Sequence, residues 1–441
     1  MEIAWMKKAA IWAFAGLGLS LAVISCCQMA DNYFVLTHPD ACIASSNGTH
    51  CAAEFRVARR SLGVVPQTPE QVTSAMIAAV KAQVAALIEA ADEIKTNNVR
   101  EDHFTNVMAR TCARQATIAL RYLGQAGDAV EAGTNQLDVP YWLAAADTQI
   151  DNCVDGFQTF SPAAQGFPAY VHLEYTAKKA GSTLDALLSI TNAAAKAAAS
   201  AATSVASTEE DVAPVRGRRM AVRSSSSGNG AMDWLEAGLF VAFGIKFVNT
   251  AGPENHQAVA FRATGDQTAL FNCAFDGSQD TLYVDAGRQY YKNCYIGGSQ
   301  DFIFGDAAVV IDAPKIQLHP SPSFGTLTAS GRAKDTPTGI VIRDAVVSAD
   351  RGTKKVYLGR PWKKCAFTVF INTFLPAVIE RDGWLSWNEG SCMFLAEAGS
   401  KGPGAAASRA DWVDPGIITS VRRQHLHASQ LLAPPVALGL Q

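Results

Sequence analysis

The chain has 441 residues, a formal net charge of −3, and 49% hydrophobic against 17% charged residues. That length and apolar content suit two globular domains. The near-neutral balance, with no concentrated basic face to neutralise phosphates, excludes nucleic acid as the main partner.

Residues 1–30 read as a targeting segment. Lys7 and Lys8 precede an apolar run over residues 9–24, and SCCQ follows, which is the order of a secretory signal peptide. The run is shorter than a comfortable bilayer span. No A-x-A site follows it, so a retained signal anchor stays open, and membrane contact is limited to that case. Setting aside Cys26 and Cys27 leaves eight of the ten cysteines, Cys42, Cys51, Cys112 and Cys153 in the first half and Cys273, Cys294, Cys365 and Cys392 in the second. Even numbers on a secretory route favour disulfides. Asn47-Gly48-Thr49 is an N-glycosylation sequon on the same route.

Residues 31–196 carry helical periodicity. Val72, Met76, Ile77, Val80, Val84, Leu87, Ile88 and Ile94 recur at three and four residues, one apolar stripe on one helix. Similar stretches follow, and the sum predicts an all-α bundle. No cluster of acid, base and nucleophile emerges here. His38, His50, His103 and His172 share no ligand spacing, so no metal is expected.

Residues 197–238 read as a linker, with an Ala/Ser/Thr run, Glu209-Glu210-Asp211 and then RGRRMAVRSSSSGNG. Such composition supports no core. Arg218 and Arg219, with Arg216 just before them, form a basic site that a processing protease would cut, or else a solvated charge run.

From residue 239 to 415 the pattern changes to short β-rich runs such as FVAFGIKFVN, TALFNCAFDG, YYKNCYIGG and TGIVIRDAVVS. No helix intervenes, which argues for a parallel β-helix over a βαβ fold. Within it, Gln279-Asp280 and Gln300-Asp301 lie twenty-one residues apart, and Gln257 lies twenty-two before Gln279. Asn249, Asn272 and Asn293 recur at a similar interval, which supports one coil per repeat. Coils stack roughly 4.8 Å apart, so Asp280 and Asp301 should share a face, with amides beside them. Two carboxylates that close cannot both ionise easily, which supplies one general acid and one base or nucleophile. On spacing alone, a purely structural polar ladder explains the same residues. Cys273 and Cys294 are also one coil apart, either bridged or stacked. Residues 416–441 form a divergent tail.

Several blocks in this order carry a resemblance: NTAGP at 249–253, QAVAFR at 257–262, GSQDTLY at 277–283, DFIFG at 301–305, LGRPW at 358–362 and GWLSWN at 383–388. Together they resemble the signature blocks of plant pectin methylesterases. The resemblance implies a right-handed parallel β-helix, here truncated at its N-terminal end, because DWLEAG runs straight into GLFVAFGIKF without the family's earlier coils. It implies hydrolysis of galacturonate methyl esters in cell-wall pectin, releasing methanol and acidic pectin. Asp301 would be the nucleophile, Asp280 the acid and base, Gln279 and Gln257 the oxyanion donors, and Arg360 the partner of Asp301. Trp362 and Trp384 would line the groove, with Phe302 and Tyr283 nearby; the alternative for the tryptophans is a place in the core, which suits Trp387 better than Trp362, the neighbour of the site arginine. No cofactor or metal is implied.

The helical domain resembles the plant invertase and pectin methylesterase inhibitor family through Cys42/Cys51, TCARQATIALRYL around Cys112 and DVPYWLAAADTQIDNCVDGF around Cys153. That resemblance implies bridges Cys42–Cys51 and Cys112–Cys153, a pro-region partnering its own enzyme, and secretion to the cell wall or apoplast. The alternative is an inactive truncated homologue whose helical domain serves as an inhibitor or binding module.

Overall fold

The structure, a computed structural model, describes residues 69–97, 103–160, 168–202, 220–224, 240–406 and 409–412. The targeting segment, His38, Cys42, Asn47, His50, Cys51, the Arg218-Arg219 site and the tail over 416–441 lie outside the described residues. The chain divides into two compact units, Met1–Ser207 and Thr208–Gln441.

The first unit contains α1 (Pro69–Asn97), α2 (His103–Ala132), α3 (Val139–Phe160) and α4 (Pro168–Ala202). Proline opens α1, with Glu70 in its first turn and Lys95 in its last, each suited to the dipole at its end. Its expected stripe faces inward. Val72, Ile77, Val80, Val84, Leu87 and Ile94 are buried, while Met76 and Ile88 are half-buried. Burial of each large aliphatic stabilises by about 1.5–3 kcal/mol, so Leu87→Ala, which leaves a cavity as well, costs about 2–5 kcal/mol. Gly133 ends α2 in the left-handed conformation, φ 65°, which only glycine adopts without cost. Thr134 N–H then reaches back to Ala129 O at 3.1 Å. The Cys112–Cys153 disulfide ties α2 to α3.

The second unit is a coil of short strands. They are β1 (Met220–Ser224), β2 (Val241–Phe243), β3 (Ile245–Asn249), β4 (Phe261–Ala263), β5 (Thr268–Phe271), β6 (Ala274–Asp276), β7 (Leu282–Val284), β8 (Arg288–Lys292) and β9 (Tyr295–Gly298). There follow β10 (Ile303–Gly305), β11 (Ala308–Asp312), β12 (Lys315–Leu318), β13 (Gly325–Ser330), β14 (Gly339–Arg343), β15 (Val346–Ala349), β16 (Val356–Pro361), β17 (Phe367–Ile371) and β18 (Phe394–Ala398). Successive strands go in turn to three sheets. Sheet I has order β18-β17-β14-β11-β8-β5-β2, sheet II β1-β3-β6-β9-β12-β15, and sheet III β16-β13-β10-β7-β4. Every pairing between named strands is parallel, which is the expected β-helix.

Like residues stack inside the coil. Phe247, Phe275, Ile296, Ile316 and Val347 form one inward column of sheet II, and Leu270, Tyr291, Ile311, Ile342 and Phe370 one of sheet I. Each sits in the common core. The corner from sheet I to sheet II is a single left-handed residue: Gly244, Asn272, Asn293, Ala313, Asp344 and Asn372, all with positive φ. Glycine, asparagine and aspartate tolerate that region. Each of these corner residues after Gly244 donates its N–H to a carbonyl one coil on, at 2.8–2.9 Å.

Three details depart from the sequence reading, and a fourth settles an open alternative. Asn249 does not belong to the asparagine column; it ends β3 and its side chain donates to Val259 O at 3.0 Å, while Gly244 takes the corner. The repeat near twenty-one holds for Thr268 paired with Gln289, but Ala308 pairs with Gly339, thirty-one residues on, because the later coils carry longer turns. A strand, β1, lies in the expected linker and pairs with β3. Of the two alternatives left open for Cys273 and Cys294, the structure takes the stacked one: they are buried free thiols in the core. The bridge in this unit joins Cys365 to Cys392.

Candidate active site

The corner from sheet II to sheet III is where the paired carboxylates fall. Gln257 bridges Gln279 and Gln279 bridges Gln300 in parallel register, so the three glutamines form the expected ladder. Asp280 and Asp301 follow it, at φ 61° and 49°. Leu282 pairs with Ile303, which puts the two aspartates in the same column on adjacent coils. Asp280 is half-buried and Asp301 buried. Loss of hydration, and then the neighbouring Asp301 charge, push the Asp280 pKa well above the usual carboxylate range, with Arg360 opposing. A neutral carboxylic acid beside a carboxylate is the pairing that acid-assisted displacement needs.

Arg360 makes a two-pronged contact with Asp301, Nε to Oδ1 at 3.0 Å and Nη2 to Oδ2 at 2.5 Å. The reach spans more than one coil. Along the outer face of sheet III, Tyr283 pairs with Phe304, Phe304 with Ala329 and Ala329 with Arg360. The small Ala329 side chain leaves the guanidinium room to lean back over its own column. Its planar group makes two cation–π contacts, 4.0 Å from the Trp387 ring centre and 5.3 Å from that of Phe324.

The aromatic lining differs from the expected one. Phe302 and Trp384 are buried in the core of the coil and do not face a groove. Phe302 points inward because the corner at Asp301 reverses the alternation. Trp384 packs against Phe370, ring centres 6.0 Å apart. Trp387, for which a core place is the more open alternative, is instead exposed over Arg360. Tyr283 and Trp362 do meet on the outer face of sheet III, joined by Phe304. Tyr283 stacks on Phe304 at 4.3 Å, and Trp362 meets Phe304 edge-on at 6.1 Å. Arg262 lies over Tyr283 at 4.8 Å and is anchored on the buried Asp285. The Cys365–Cys392 bridge holds the segment that carries Trp387, and Gly390 allows the close approach, since a Cβ there would lie 2.3 Å from Lys364 O.

Sequence reasoning missed Phe304, Phe324, Thr326 and Trp387. Phe304 was legible as the residue twenty-one after Tyr283. The others lie on coils whose turns change length, where counting fails. Among the described residues no group of three or more histidine, cysteine or acidic side chains is placed to hold a metal ion.

Comparisons with known proteins fit this arrangement. A sequence model described as pectinesterase matches residues 209–432, and one described as plant invertase/pectin methylesterase inhibitor matches residues 25–171. The chain is 40% identical over 223 residues to a putative pectinesterase/pectinesterase inhibitor 38 of Arabidopsis thaliana, covering 47% of each chain. It is 40% identical over 222 residues to pectinesterase 2 of Citrus sinensis, covering 46% of this chain and 44% of that one. These matches span less than half the length of the relatives. A solved pectin methylesterase from carrot is 34% identical with a TM-score of 0.41, covering 44% of this chain and 67% of the other.

Proposed function

Because the chain belongs to the pectinesterase family, we propose that its second unit hydrolyses methyl esters of galacturonate units in cell-wall pectin, releasing methanol and leaving acidic pectin. The observation that carries this reading is the Asp280–Asp301 pair on adjacent coils, with Arg360 clamped on the second carboxylate. Asp301 attacks the ester carbonyl carbon, and the carbonyl oxygen takes up the negative charge. Amide N–H groups of Gln279 and Gln257 stand beside the column to donate to that oxyanion. The C–OCH3 bond breaks as Asp280, whose raised pKa favours its protonated form, gives its proton to the methoxy oxygen. Methanol leaves and an acyl-Asp301 anhydride remains. Asp280, now a carboxylate, takes a proton from water as the water oxygen attacks the same carbon, and Asp301 departs as carboxylate. Trp362, half-buried at the edge of the buried Tyr283–Phe304 pair, is the apolar face of this cluster left for a sugar ring. No step calls for a cofactor.

The first unit serves in this reading as a pro-region. The chain is secreted, and a protease cuts at Arg218-Arg219, leaving β1 at the start of the enzyme. The test is methanol release from methyl-esterified polygalacturonate by the full chain, before and after cleavage at that site. Release that disappears in Asp301→Asn supports the proposal. A folded, cleaved chain that releases none overturns it and favours an inhibitory or binding role for the helical unit.

A further inference from the structure

We propose that Thr326 is a positioning residue for Asp301, and that it divides the work of the carboxylate, with Oδ1 held and Oδ2 attacking. The proposal rests on the reading of Asp301 as the nucleophile. Ile303 pairs with Thr328, so Thr326 occupies the next place in the column of Asp280 and Asp301. At Asp280 the ladder is ordinary: its N–H donates to the backbone carbonyl of Gln300 at 3.1 Å. At Asp301 the pattern breaks, because the coil that follows is four residues longer. There the Asp301 N–H donates to Thr326 Oγ1 at 2.8 Å, and Thr326 Oγ1 donates to Asp301 Oδ1 at 2.6 Å.

A hydroxyl has one proton. With the Asp301 N–H pointing at its lone pair, that proton goes to Oδ1. Thr326 is fully buried, so no water competes for it. A β-branched side chain in a strand has few rotamers, and Thr326 N–H is itself tied to Ser299 O at 3.2 Å. Gly325 permits this approach, since a Cβ there would stand 2.9 Å from the same oxygen. Among the described residues, Oδ1 therefore takes two donors, the Thr326 hydroxyl and Arg360 Nε, while Oδ2 takes one, Arg360 Nη2. A carboxylate oxygen accepts about two bonds, so Oδ2 keeps the lone pair that forms the bond to the ester carbon. The breaking C–OCH3 bond and the proton from Asp280 are as described above. Thr326 also fixes the left-handed corner from which the carboxylate projects.

The test compares Thr326→Val, Thr326→Ser and Asp301→Asn in the full chain, assayed as the parent is, with folding followed by thermal melting. Thr326→Val should lower kcat about ten- to a hundred-fold, the loss expected for one hydrogen bond to a charged group, with KM unchanged. Thr326→Ser, which keeps the hydroxyl, should stay within a few-fold of the parent. If Thr326→Val does not fold, Thr326→Cys replaces it, a similar shape with a much weaker donor, and the same loss is expected. Unchanged kcat in the folded Val or Cys variant overturns the proposal while Asp301→Asn is inactive. Equal losses in Ser and Val overturn it too, since the loss then does not follow the hydroxyl. Full activity in Asp301→Asn overturns the reading of the nucleophile itself.

Discussion

Two corners of the coil use the same chemistry for different ends. The corner between sheets I and II and the corner between sheets II and III both turn through left-handed asparagine or aspartate residues. In the first, the asparagine and aspartate corners are exposed, and Asn372 Nδ2 simply donates to Asp344 Oδ1 at 3.1 Å. In the second, the column is half-buried or buried and is met by Arg360 and Thr326 from later coils. A short polar residue at a left-handed corner is thus a structural device everywhere in this fold. In the mechanism proposed above, it becomes a reactive group where burial removes water and a neighbour supplies charge and a proton.

The sharpest way to break this comparison is to exchange the side chains' chemistry at each corner. Asp301→Asn should lower kcat by at least about a thousand-fold, measured as methanol release, with melting little changed. Asn293→Ala should leave kcat unchanged and cost about 1 kcal/mol in denaturant unfolding, because alanine is strained at φ 54°. Arg360→Lys should lower kcat about ten- to a hundred-fold, since an ammonium cannot make the two-pronged contact.

The pH profile sharpens the second corner. The proposed acid step needs Asp280 protonated, and its pKa is raised by burial and by Asp301. Activity should therefore persist above the usual carboxylate range and fall as pH rises through that raised value. A pH–kcat curve lacking this descending limb would separate Asp280 from the acid role.

Stability has its own titration, away from the pair. His319 bridges Asp276 Oδ1 at 3.0 Å and Asp350 Oδ2 at 2.6 Å, with Lys246 on Asp276 at 2.9 Å. Its pKa is raised, first by the Asp276 hydrogen bond, so its contribution is fully present below the unfolded value and fades as pH rises through the folded one. The Asp276 pKa is lowered, first by the His319 hydrogen bond, so that contribution fades as pH falls through its lowered value. His319→Gln should lower the melting temperature most between those limits and least at alkaline pH. The smallest effect is at the first corner, where Ala313 sits at φ 49° among asparagines; Ala313→Asn should stabilise by about 0.5–1 kcal/mol.

The amino-acid sequence by itself determined the helical stripe of α1, the change to short β runs, and the Asp280–Asp301 and glutamine ladders. Each of these is a periodicity, 3.6 residues on a helix or one coil on a solenoid, and periodicity is written in the chain. Phe304 was equally legible by that count. What tertiary structure alone decided is everything that crosses coils of unequal length. Thr326 stands twenty-five residues after Asp301 in the same column, and Arg360 reaches Asp301 over Ala329. The fates of Trp384 and Trp387, three residues apart but one in the core and one on the arginine, depend on how a long turn is held by Cys365–Cys392. So does the choice of which cysteines bridge. Turn length sets which side chains meet, and no local pattern records it.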